Sequence, residues 1–163
     1  MLLSVSAALW FLPFVVPICL WVAWSDLATM KIPNKAVLAL IAVYLVVGLI
    51  VFPFEQWAWQ LTHFVAVLVI GFVLTIAGVM GAGDAKFAAA AAPFVVLTDA
   101  INVAAIFTIC VVLGFVSHRL ARVSPFRKLV PNWESWERTR EFPMGYPLGG
   151  TLVAYLILAA VGY

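Results

Sequence analysis

Six stretches of this chain carry no Asp, Glu, Lys or Arg: residues 1–25, 36–54, 56–83, 87–98, 100–117 and 142–163. A helix crossing roughly 30 Å of hydrocarbon needs about 20 predominantly apolar residues, because lipid offers no partner for an unpaired backbone amide. Five of the stretches are long enough and the fourth, 87–98, is short. Hydrophobic residues make up 66% of the chain and charged residues 10%, with a mean hydropathy of +1.16, which excludes an ordinary water-soluble domain. The expectation is an all-α polytopic membrane protein of about six transmembrane helices in the lipid bilayer. It forms one membrane-embedded domain over 1–163, with a polar loop at 118–146.

The basic residues orient it. Lys31 and Lys35 fall between the first two helices, Lys86 between the third and fourth, and Arg119, Arg122, Arg127, Lys128, Arg138 and Arg140 between the last two. The alternate loops, around 53–60 and Asp99, have none. By the positive-inside rule all nine basic residues are cytoplasmic and both termini lie outside. The first helix has no basic residue before it and is read as a retained span, kinked at Pro13 and Pro17. A net charge of +2 carries no nucleic-acid signature, and the oligomeric state is left unassigned.

Within the loop, Asn132 is positioned to cap a short helix with Glu134 and Glu137 early and Arg138 and Arg140 late, as the helix dipole favours. Trp133 and Trp136, three apart, would set that helix on the cytoplasmic headgroups, or else decorate a solvated linker. Cys19 and Cys110 stand alone in separate spans, and no Cys/His spacing suits a metal, so no disulfide, metal or other cofactor is expected.

Acidic residues near spans are costly and are read as functional when retained. Glu134, Glu137 and Glu141 lie in the polar loop, while Glu55 and Asp99 lie in short outward loops where water can solvate them. Asp26 and Asp84 remain, one ending the first helix and one opening the fourth, at the same cytoplasmic depth. Two carboxyls in contact share a proton, so that one acts as base and the other as acid on a bound water. Gly81 and Gly83 allow close backbone approach, and the alanines at 88–92 allow close helix packing, although both are ordinary membrane features. The chain contains no G-x-S-x-G or H-E-x-x-H pattern for a serine or zinc hydrolase. His63 and His118, without a Ser or Cys partner, are read as structural or interfacial.

These residues compose a pattern. "GAGDAK", 81–86, resembles the G-x-G-D motif of the polytopic membrane aspartic proteases, and "DLATMKIPN", 26–34, resembles the first motif of the type IV prepilin peptidases. "PMGYPLGG", 143–150, is similar to a Pro/Gly-rich segment before that family's last helix.

The resemblance implies a bacterial inner-membrane endopeptidase. It would remove the basic leader of a prepilin after a glycine at the cytoplasmic face, with Asp26 and Asp84 as the catalytic pair. Lacking an insertion with a cysteine tetrad, the chain looks most like the peptidases of tight-adherence (Flp) pilus systems, with no reason to expect methylation.

Helix-end dipoles suggest that the shared proton rests mainly on Asp26 and that Asp84 is the base. Pro33 and Asn34 are expected to stiffen the turn after Asp26, with Asn34 capping the second helix. Gly145 and Gly149 are spaced as a packing face. Lys86 either steadies a substrate carbonyl or carboxylate, or simply marks the inner side. The substrate would bring a basic leader to Glu134, Glu137 or Glu141 and an apolar N-terminal helix to a lateral gap. A proton-coupled transporter and a non-catalytic pilus assembly component are the rival readings.

Overall fold

The computed structural model describes residues 1–138 and 141–163. Among these the fold is all-helical: α1 Val5–Thr29, α2 Asn34–Val51, α3 Phe54–Ile76, α4 Ala82–Ala91, α5 Ala100–Val123 and α6 Gly145–Ala160. Four segments have the length and hydropathy to cross a membrane, namely α1, α2, α3 and Leu97–Val123, while α6 is a shorter apolar helix. At 1.5 Å per residue the ten-residue α4 extends only about 15 Å, about half the thickness of a bilayer's hydrocarbon core.

Prolines and glycines set the boundaries. Pro33 and Pro53 stand immediately before α2 and α3, and Gly81 immediately before α4. Pro33, at φ −65°, is itself the N-cap of α2. Asn34 is the first helical residue and makes no capping bond, contrary to the expectation drawn from its side chain. Pro13 and Pro17 both lie inside a continuous α1.

α1 packs most extensively on α6, and α4 sits against α3, α2 and α6. The buried face of α1 includes Phe11, Val15, Cys19, Val22 and Asp26, repeating every three to four residues along one side of the helix. Small residues make these approaches possible, since in lipid it is close packing rather than solvent exclusion that holds helices together. A Cβ on Gly149 would lie 3.2 Å from the Cys19 carbonyl oxygen, and one on Gly71 would lie 2.9 Å from the Ala85 Cβ. α3 and α5 have few buried residues and present apolar side chains outward.

Toward one end, Phe11, Tyr44 and Phe94 interlock, with Phe94 edge-on to both other rings at 4.8 and 5.3 Å. Asp99 lies at this end and is not the solvated loop residue its position suggests, being only 2% exposed. Its carboxylate accepts from the Leu2 amide at 2.9 and 3.0 Å, from the Leu3 amide at 3.4 Å and from the Tyr155 hydroxyl at 2.9 Å. The docked N-terminal backbone replaces the water that an exposed turn would have used.

The loop after α5 also departs from expectation. In place of an Asn132-capped helix there is a single 3-10 turn, Glu134–Trp136, preceded by Trp133 and without a side-chain cap. Arg140, expected late in that helix, lies outside the described residues. Trp136 points inward rather than toward headgroups. It is buried, stacks on His118 at 4.9 Å and on Trp133 at 5.4 Å, and donates its indole N–H to the Val130 carbonyl at 2.8 Å. Trp133 in turn meets Trp24 of α1 edge-on at 5.1 Å, so a run of rings joins the ends of α1 and α5. Burial and stacking of these rings outweigh the weak local helix propensity of the segment.

Candidate active site

The last turn of α1 buries Asp26, and α6 begins beside it. The Gly145 amide donates to Asp26 Oδ2 at 2.6 Å, a bond between residues 119 apart in the chain. No side chain could stand at 145 without displacement, because a Cβ there would lie 3.0 Å from Asp26 Oδ2 and 3.1 Å from Ile32 Cδ1. The bond occupies Oδ2 and leaves Oδ1 to hold or release a proton. α1 then closes on Met30, whose left-handed backbone (φ 52°, ψ 35°) is normally glycine's, with its amide donating to the Asp26 carbonyl at 2.9 Å.

Asp84 occupies the first turn of α4, where the positive end of the helix dipole favours an acid. Its side chain curls back over the glycine that starts the helix, so a Cβ on Gly81 would fall 2.7 Å from Asp84 Oδ2. Gly81 is therefore required by the position of this carboxylate. Gly83 faces the turn after α1, with its missing Cβ 3.5 Å from Ile32 Cβ. Ile32 thus wedges between the first turn of α4 and the first turn of α6. It lies against both the Gly83 and Gly145 positions and joins the elements carrying the two acids. Asp26 is buried and Asp84 is partly buried, on elements that meet at this side chain.

The other expected residues divide. Pro33 sits in the connecting turn beside Ile32, and among the described residues Asn34 makes no side-chain hydrogen bond to either carboxyl. Lys86 is exposed two residues past Asp84. Glu134 and Glu141 are both engaged by Arg138, at 3.5 and 3.0 Å, which reduces their availability to a basic peptide; Glu137 is exposed. Ile32 and Gly145 were not singled out by the sequence as partners of the acids.

A groove of about 460 Å³ runs between α3, α4, α5 and α6. Its lining reaches Met80 and Phe87, on either side of Asp84 in the chain. α5 contributes Ala100, Val103, Ala104 and Phe107, and α6 contributes Leu148, Thr151, Leu152 and Tyr155, each set at the spacing of one helical face.

No curated protein and no solved structure matches the chain. A family model described as the type IV leader peptidase family matches residues 13–117, well over half of the sequence and a span that includes both Asp26 and Asp84. With an all-helical, multi-span fold and two acids brought to one end of it, this chain belongs to the type IV leader peptidase family.

Proposed function

We propose that this protein is a membrane aspartic endopeptidase that removes the leader of a type IV prepilin, of the Flp type, with Asp26 and Asp84 as its catalytic pair. The coarser part, a peptidase of prepilin leaders built from membrane-embedded helices, follows from the family. The observation that supports the finer part is that Ile32 packs against both Gly83, beside Asp84 in the first turn of α4, and Gly145, whose amide holds Asp26.

In the proposed reaction the Asp84 carboxylate takes a proton from a water as the water oxygen attacks the scissile carbonyl carbon. Asp26, protonated on Oδ1, donates to the carbonyl oxygen. As the tetrahedral intermediate collapses, Asp84 passes its proton to the leaving nitrogen, the C–N bond breaks, and a hydroxyl of the intermediate returns a proton to Asp26 as the new carboxyl forms. The pair is left with one proton, as at the start. Gly145 fixes Asp26 through Oδ2, and Gly81 gives Asp84 room to turn back over its own helix.

Cleavage is placed at the cytoplasmic face of a bacterial inner membrane, with the chain acting as one embedded domain and both termini outside. The substrate's apolar N-terminal helix would occupy the groove between α3 and α5. That assignment rests on continuity, since the groove wall is α4 itself and the small residues Ala88, Ala91 and Ala92 along it permit close helix approach. A transmembrane proton relay is disfavoured by spacing. The other buried acid, Asp99, sits against Leu2 and Leu3, roughly 35 Å along α1 from Asp26.

Incubation of the purified protein with a prepilin tests the reading by mass spectrometry. Release of the leader at a single bond is expected; an intact substrate under conditions where the protein is folded contradicts it.

A further inference from the structure

The end of α5 and the segment that follows it enclose a second, smaller and chemically different cavity. It has a volume of about 60 Å³ and is lined by Phe115, His118, Arg119, Arg122, Ser135, Arg138, Glu141 and Phe142. By the space one water requires, it has room for about four oxygen atoms. Three guanidinium groups face one carboxylate there, and that carboxylate is already engaged by Arg138 at 3.0 Å. The guanidinium of Arg119 lies 5.1 Å from the centre of the Phe115 ring.

Among the described residues, two polar atoms in this lining have no hydrogen-bond partner, Ser135 Oγ and His118 Nε2. Their residues are 1% and 8% exposed. Buried polar groups are nearly always satisfied, and leaving two of them open in one cleft carries a cost unless something binds there. Both can donate, Ser135 through its hydroxyl and His118 in its Nε2–H tautomer. Donors and guanidinium groups converging on a space of this size select a compact oxyanion.

We propose that this cleft binds the phosphate group of an anionic phospholipid. Arg119, Arg122 and Arg138 supply charge, and Ser135 and His118 supply directed hydrogen bonds. The surroundings favour a lipid as the source of the phosphate. The cleft opens at the end of a membrane-spanning segment, Leu97–Val123, and the neighbouring residues Val116, Leu120 and Val123 are 47%, 62% and 84% exposed, a surface along which acyl chains can lie. Basic pockets at helix ends are where lipid headgroups are held. Through His118, Trp136, Trp133 and Trp24, the cleft is also coupled by ring contacts to the end of α1 that carries Asp26.

The site is tested without reference to peptide cleavage. The full chain in neutral detergent is titrated separately with phosphatidylglycerol, phosphatidylcholine and inorganic phosphate. Retained lipid is counted by native mass spectrometry, and the unfolding temperature is followed in parallel. Phosphatidylglycerol is expected to bind in preference to phosphatidylcholine and to raise the unfolding temperature. Arg122→Gln and Ser135→Ala should each weaken that binding about tenfold, the loss of one charge-assisted hydrogen bond. Stabilisation by inorganic phosphate alone, lost in the same variants, upholds the phosphate site and makes free phosphate its occupant. Equal retention of the two lipids, or phosphatidylglycerol binding unchanged in both variants, overturns the proposal.

Discussion

The Gly145 backbone amide holds Asp26 by a 2.6 Å hydrogen bond to Oδ2, so the last helix of the chain fixes an acid carried by the first. Any side chain at 145 would press on that oxygen and on Ile32 together. Gly145→Ala is therefore expected to lower kcat by about ten- to a hundredfold with little change in KM, since it misplaces a reacting group rather than the substrate. Gly149→Ala, one turn further along α6 and against Cys19, is the comparison. It should cost about 1–3 kcal/mol of stability and leave kcat near the wild-type value. Steady-state kinetics and thermal unfolding of the two variants separate the effects.

Asp99 gathers the Leu2 and Leu3 amides and the Tyr155 hydroxyl at the other end of the bundle. Asp99→Asn places an amide nitrogen among these donors and should destabilise the fold by about 2–3 kcal/mol. Tyr155→Phe, which removes one donor, should cost about 1 kcal/mol. Cleavage measured well below the unfolding temperature should be retained in both. An abolished activity in a folded Asp99→Asn protein would instead revive a relay role for this acid.

Met30 holds a left-handed conformation that costs a side-chain-bearing residue about 1–2 kcal/mol. Met30→Gly should raise the unfolding free energy by about 1 kcal/mol, read by chemical or thermal denaturation in detergent, because the same cap then forms without strain. A destabilised variant would mean that contacts of the Met30 side chain outweigh its backbone cost.

Trp136 is wedged between His118 and Trp133 and closes the ring contacts that lead to Trp24. Trp136→Ala is expected to cost about 3–5 kcal/mol and to detach residues 130–138 from the bundle. Limited proteolysis should then cut within 130–138 faster than in the wild-type protein.

The two acids and most helix boundaries could be read directly in the sequence because each breaks a local rule. Asp26 and Asp84 are charges bordering long uncharged runs, and Pro33, Pro53 and Gly81 stand between apolar runs, where α2, α3 and α4 begin. The packing role of Gly145 and Gly149 was legible from their spacing, and both face α1. The bond from Gly145 to Asp26 was not, since no local pattern reports an amide 119 residues away. Asp99 misleads for a related reason. A charge between two apolar runs reads as a solvated turn, and only the docking of Leu2 and Leu3 makes it a buried acceptor. Trp133 and Trp136 have the spacing of an interfacial helix, yet ring stacking on His118 draws Trp136 inside. Asn34 has the chemistry of a cap, but Pro33 already occupies the capping position.

The most direct measurement is single-turnover cleavage of a prepilin by Asp26→Asn, Asp84→Asn and the double variant, with each protein shown to be folded by its unfolding transition. If the carboxyls work as one proton-sharing unit, each single variant should lose at least about a thousandfold in rate, and the double variant should be scarcely worse than either. Substantial cleavage surviving in Asp26→Asn or in Asp84→Asn would contradict a shared role for these two residues.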